Sequence, residues 1–267
     1  MHPELYNQHK VEPEQYLSAQ IGPLELWIRH TGDEFHVAVK RNAHSENVIE
    51  TSHPEPVKDT PDACLSWSRW VVGQNFDTMQ LLPVMPDRPV VVRPATPVSI
   101  PTGNEALFFV AVPIWVDISV FGPAKVTLLQ APSVVLSDTW FGDPMTGELC
   151  YSMRTRARRK VSDSPVRPHR VLCPVLIRNT TTEQLDVERF CVHIQNLTVY
   201  AGQSRLWTNE VRISFRGENE TSQVKYVESA PEYEHIDRLL SNPRAPQKKT
   251  LLQRSFSTFR LFGGEGE

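Results

Sequence analysis

A mainly β fold is what this sequence predicts: antiparallel sheets and sandwich-like regions, a short C-terminal helix and an extended tail. Three observations carry it. Several segments alternate apolar and polar residues with a period of two, as half-buried strands do. Proline supplies 22 of the 267 residues, against a usual share of about 5%, and proline is excluded from helix interiors because it lacks an N–H. The remaining apolar content is rich in Val, Phe and Trp, with 11 Phe and six Trp, which suit a pleated surface.

Composition narrows the function classes. With 40% hydrophobic and 22% charged residues the chain is ordinary globular material. A net charge of −3 argues against whole-chain nucleic-acid binding. No run approaches the ~18 apolar residues of a membrane span. The opening MHPELYNQHK has no apolar signal region, so a cytoplasmic protein is expected. Cys64, Cys150, Cys173 and Cys191 form no C-x-x-C pair, and the histidines show no ligand spacing, so free thiols, no metal and no cofactor are expected.

In chain order, residues 1–17 are polar without a period and read as an N-terminal arm. LELWIRHTGDEFHVAVKR reads as a hairpin about Thr31–Glu34. Setting His30 opposite Phe35 puts Ile28 against Val37 and Leu26 against Val39 on one side, with Arg29–His36 and Glu25–Lys40 on the other. Residues 42–62 read as a loop. CLSWSRWVVG follows as a strand. Val90–Val92, caught between prolines, reads as a strand at a sheet edge. NEALFFVAVPIWVDISVFG gives two buried strands bent at Pro113, and AKVTLLQAPSVVLSDTWFG two more about Pro132.

The segment TWFGDPMTGELCYSMRTRARRK reads as a hairpin whose turn is Asp143–Gly147, with Gly147 free to take a positive φ. Its outgoing strand puts Leu149, Tyr151, Met153, Thr155 and Ala157 inward. Glu148, Cys150, Ser152, Arg154, Arg156 and Arg158 face water. RVLCPVLIRN, ERFCVHIQNLTVYAG, NEVRISFRG and SQVKYVES read as further strands, the second with a change of phase. SAPEYEHIDRLLSNP reads as a helix, capped by Ser229 and stopped by Pro243, with Ile236, Leu239 and Leu240 on one face.

Gly142-Asp143-Pro144, Gly147 and Cys150-Tyr151, with the flanking FFVAVPIWVDISV and PVLIRNTTTEQLDVERFCVHIQNL, resemble an uncharacterised β-rich family of archaea and bacteria, domain-of-unknown-function family 432. The resemblance covers roughly residues 85–230. It implies a β-rich intracellular protein and supplies no site residues.

The candidate site is the basic run Arg154, Arg156, Arg158, Arg159 and Lys160. A strand would hold the first three about 6.5–7 Å apart on one face, suited to carboxylates or phosphates. A solvated strand face is the competing reading. Asp138, Asp143 and Glu148 lack calcium-loop spacing. In the tail, Leu251, Leu252, Ser255, Phe256, Phe259 and Phe262 fall near one helical face, with Lys248, Lys249, Arg254 and Arg260 as charge. This suits peripheral membrane or partner docking, or a strap on the protein's own surface.

The expected organisation is an arm (1–17), an N-terminal β domain (18–160), a C-terminal sandwich-like region (165–228), and a helix with strap (229–267). The leading functional expectation is a non-catalytic binding or assembly module that engages an acidic protein or anionic ligand. Two alternatives stand: an enzyme acting on an anionic small molecule between the two β regions, and a homo-oligomeric structural protein.

Overall fold

The structure, a computed structural model, describes residues 3–51, 55–56, 65–73, 75–217, 220–245, 250–253 and 255–256. It is mainly β and mostly antiparallel. Among the described residues the only helical turns are short 3-10 pieces: Pro3–Tyr6, Val161–Asp163 and Ile194–Asn196. Among the described residues no helix is long and apolar enough to cross a membrane.

The hairpin Leu24–Thr31/Glu34–Arg41 forms in the expected register, His30 against Phe35 and Glu25 against Lys40. Gly32 at the turn has φ 60°, where a β-carbon is disfavoured. The inward row Leu26, Ile28, Phe35 and Val37 is buried. Strands Gln15–Ile21 and Trp67–Val71 flank this hairpin. Part of the expected 42–62 loop pairs as well, Ile49–Thr51 and Glu55–Pro56 both against Gln15–Ile21. Residues 52–54 and 57–62 of that segment lie outside the described residues. In the arm, Leu5 and Tyr6 are buried, and Gln8–Lys10 pairs with Thr78–Val84.

Pro113 divides the apolar stretch as expected, and the two halves enter different sheets. Trp115–Phe121 lies between Thr78–Val84 and Lys125–Pro132. Glu105–Pro113 pairs along its whole length with Arg170–Asn179, from Glu105/Arg178 to Pro113/Arg170. The other edge of Arg170–Asn179 carries two parallel partners in succession, Leu206–Thr208 and Val211–Phe215. Strands from residues 18–160 and 165–228 thus share one sheet. A single apolar cluster runs from Leu5 to Leu240 through every large sheet.

The expected helix over 229–243 is absent. Ile236–Ser241 is a strand, antiparallel to Val199–Gly202 with two register shifts. An isolated helix this short is marginal in water, whereas the open edge of Val199–Gly202 offers a full set of backbone partners. Ser241 anchors the end by donating its hydroxyl to the Pro83 carbonyl at 2.6 Å. Thr250–Gln253 is likewise a strand, on the edge of Ser222–Tyr226, so the helical face drawn through Leu251 and Leu252 does not form. Phe256 then packs edge-on to Phe215, centroids 5.0 Å apart. The other proposed tail residues, Phe259, Phe262, Lys248, Lys249, Arg254 and Arg260, lie outside the described residues.

The strand at 236–241 separates residues that a helix would have grouped. Leu240 is 7% exposed and Leu239 49%. Leu240→Ala is expected to cost about 2–4 kcal/mol and Leu239→Ala under about 0.5 kcal/mol. Urea denaturation of the two variants checks this; equal costs would restore the helical face.

Candidate functional site

A four-stranded sheet carries the basic run, in the order Ser137–Phe141, Glu148–Ser152, Val90–Val92, Phe190–Val192. Val90–Val92 is therefore internal, not at an edge as expected. Prolines 89 and 94 flank it without entering it, so its own N–H groups remain available on both sides. The first two strands form the expected hairpin, Phe141 opposite Glu148 and Thr139 opposite Cys150. In the turn the Asp143 carboxylate accepts from the Met145 N–H at 2.8 Å, and its carbonyl from the Gly147 N–H at 2.7 Å. The positive φ belongs to Gly142, at 106°. Gly147 is required for close approach instead: a β-carbon there would lie 2.4 Å from the Trp140 indole nitrogen.

The strand expected to run through Arg158 ends at Ser152. The Met153 N–H still reaches the Val91 carbonyl, at 3.1 Å, but the Arg93 carbonyl next accepts from Ala157 rather than Thr155. Two extra residues are looped out before the parallel pairing resumes at Pro94 and Ala157. Arg154 and Arg156 ride on this bulge, so the even ladder spacing is lost while the sidedness survives. Met153 and Ala157 are buried, and Arg154, Arg156, Arg158, Arg159 and Lys160 are exposed. Beyond the bulge the chain is pinned again. Arg158 exchanges backbone hydrogen bonds with Phe109 at 2.9 and 2.8 Å, and within the bulge the Thr155 hydroxyl donates to the Ala111 carbonyl at 3.1 Å.

The five cations are not equivalent. The Arg159 guanidinium donates to the Leu107 carbonyl and stacks over Phe108, 4.9 Å from its ring centroid. Burial pulls its pKa down, so it acts as a structural brace. Among the described residues no carboxylate pairs with Arg154, Arg156, Arg158 or Lys160. Arg69, Arg88, Arg167 and Arg212 each hold one. Arg93, exposed just past the neighbouring strand Val90–Val92, adds further positive charge.

The groups a catalytic reading would need near these arginines are engaged elsewhere. Asp138 pairs with Arg88 at 3.1 Å. His169 is buried under Gly22, its Nδ1 3.2 Å from the Glu46 carbonyl, while Arg170 Nε donates to its Nε2 at 3.2 Å. That pattern fits a neutral ring with its proton on Nδ1. A cleft of about 440 Å³ lined by Glu183, Asp186, Arg189, Arg216 and Phe256 lies beside the strap and mixes both charge signs.

The same sheet brings together residues that linear spacing kept apart. Cys150, expected to face water, is fully buried, as is Cys191 two strands away; they form a small cluster with Phe141. Their sulfurs are 3.8 Å apart. Glu148 lies against both, a carboxylate oxygen 4.0 Å from the Cys191 sulfur. His193, nearly buried, holds that carboxylate through Nε2 at 2.9 Å. Burial, reinforced by the neighbouring Cys150, pushes the Cys191 thiol well above its usual pKa. Sequence reasoning missed this group because its members belong to two strands that meet only across Val90–Val92. Cys173 is buried elsewhere, in the main core, with its thiol pushed up to about 12 by burial. Cys64 lies outside the described residues.

Residues 5–260 match the family described as "Protein of unknown function (DUF432)". The chain belongs to this family. The match reaches beyond the 85–230 resemblance, taking in the N-terminal hairpin and the strand at 250–253. No curated protein and no solved structure matches the chain.

Burial first, then the Arg170 charge, lowers the His169 pKa to about 4, against about 6.5 in an unfolded chain. Protons therefore favour the unfolded state between those values, and stability is full above pH ~6.5 and falls towards pH ~4. Urea midpoints measured across that window are expected to decline, and His169→Gln to remove the part of the decline that belongs to this ring.

Proposed function

We propose that this protein is a non-catalytic binding module that docks an acidic surface of a partner protein through Arg154, Arg156, Arg158 and Lys160. The observation that carries the reading is four exposed cations within seven residues, none with a carboxylate partner among the described residues. Like charges held together repel one another, and an opposing surface relieves that repulsion.

The mounting of the segment supports the same reading. Hydrogen bonds from Met153 to Val91 before the bulge, and from Ala157 to Arg93 and between Arg158 and Phe109 after it, hold its backbone on both sides, and the Thr155 hydroxyl ties the bulge itself to Ala111. Less conformational entropy is then lost when a partner arrives than for a free basic loop. Arginine also suits the task, since its planar fork grips carboxylates two bonds at a time.

The test is affinity capture from the native cell, comparing the wild type with Arg154→Glu/Arg156→Glu/Arg158→Glu. Exposed side chains away from the core permit the triple change without unfolding, which circular dichroism checks. The expected outcome is loss of the captured partner from the variant by about tenfold or more, with wild-type capture weakening as salt rises. Arg212→Glu/Arg216→Glu, in another sheet, should leave capture unchanged. Equal capture by the triple variant overturns the proposal.

A further inference from the structure

We infer that Cys150, Cys191 and Glu148 form a binding site for a single zinc ion, with His193 as the positioning residue for the Glu148 carboxylate. The three donor atoms lie within 4.8 Å of one another. The sulfur separation is the most telling distance. Two thiolates at about 2.3 Å from a tetrahedral zinc are separated by about 3.8 Å, and Cys150 and Cys191 are 3.8 Å apart. The carboxylate oxygen, 4.0 Å from the Cys191 sulfur, needs to move inward by only a few tenths of an ångström to close a second edge, and the Cys150 sulfur lies within 4.8 Å of the carboxylate donor.

A disulfide is the obvious competitor for two adjacent buried thiols, and the sheet disfavours it. Cys150 and Cys191 sit on strands separated by Val90–Val92. Their sulfurs stand 3.8 Å apart, against about 2.05 Å in a disulfide, and Val90–Val92 lies between the two strands that would have to approach. Side chains that lean towards each other across an intervening strand can share an ion between them, where a direct bond would require the strands to close up.

The surroundings supply what such a site needs. Both sulfurs are buried beside Phe141, so the ion sits in an apolar wall. Glu148 is about a third exposed, which provides an entry path. His193 bonds the carboxylate through Nε2 at 2.9 Å, and outer partners of this kind commonly orient metal-ligating carboxylates. Two sulfurs and one oxygen favour zinc over magnesium or calcium, which take oxygen ligands alone. As each sulfur–zinc bond forms, the thiol proton leaves to solvent. Three protein ligands leave a fourth tetrahedral position for water or an incoming donor.

The test uses the full-length protein, stripped of metal under reducing conditions and titrated with zinc, and separately with cobalt as a spectroscopic substitute. The expected result is one zinc per chain. Cobalt should give a sulfur-to-metal charge-transfer band together with the intense visible bands of tetrahedral coordination. Cys150→Ser/Cys191→Ser should lose both the stoichiometric zinc and the charge-transfer band. Cys173→Ser and Cys64→Ser should keep them. His193→Ala should keep the band while weakening zinc about 10- to 100-fold. Absence of the cobalt charge-transfer band in the folded wild type overturns the proposal whatever the variants do. So does its persistence in the double cysteine variant.

Discussion

The fold hangs on one pairing, Glu105–Pro113 against Arg170–Asn179. Its nine registered positions join the first half of the chain to the second, and the pairing sets where everything else can go. Pro113 ends one strand of that pair, and Trp115–Phe121 turns away into a separate sheet. Arg170–Asn179 in turn offers its far edge to Leu206–Thr208 and Val211–Phe215. A strand paired on both edges must satisfy its N–H and C=O groups within the protein, and a slip of one residue would move Val171, Cys173, Val175 and Ile177 to the face that carries the exposed Arg178. The bulge that presents Arg154 and Arg156 depends on this pairing too, since Arg158 and Thr155 are tied to Phe109 and Ala111 of its first strand.

Local pattern made the hairpins legible. The Leu24–Arg41 register follows from alternation and the Thr31–Glu34 turn, because both signals act over neighbouring residues. Alternation in RVLCPVLIRN also sets Val171, Cys173, Val175 and Ile177 on one face, and that face is buried. What escaped was pairing between distant segments. Nothing near Val90–Val92 tells that Phe190–Val192 and Glu148–Ser152 will lie on its two edges. The misread helix has the same origin: Ile236, Leu239 and Leu240 fit a helical face locally, but the vacant edge of Val199–Gly202 decides the outcome. Turn composition points the positive φ at Gly147 for a related reason; the structure gives it to Gly142, and the Trp140 indole claims Gly147 for close approach.

The basic run and the thiol group show two kinds of legibility. The exposure of Arg154, Arg156 and Arg158 was readable because sidedness is a property of the strand itself, and it survives even where the ladder ends. The thiol group was unreadable because Cys150 sits in a row that looks solvent-facing. Cys150 alone in that row is buried: Phe141, from the adjacent strand of the same sheet, and Cys191 pack against it, while Ser152 stays exposed.

The central pairing also has a temporal consequence. A ribosome releases Glu105–Pro113 roughly 60 residues before Arg170–Asn179, which at about 5–20 residues per second leaves a strongly apolar strand without its mate for about 3–12 s. Closure of the last edges waits longer, for Ile236–Ser241 and Thr250–Gln253. Nascent chains of this protein thus pass through an interval in which their stickiest segment is synthesised but unshielded, and a holdase that masks apolar strands would find its substrate there.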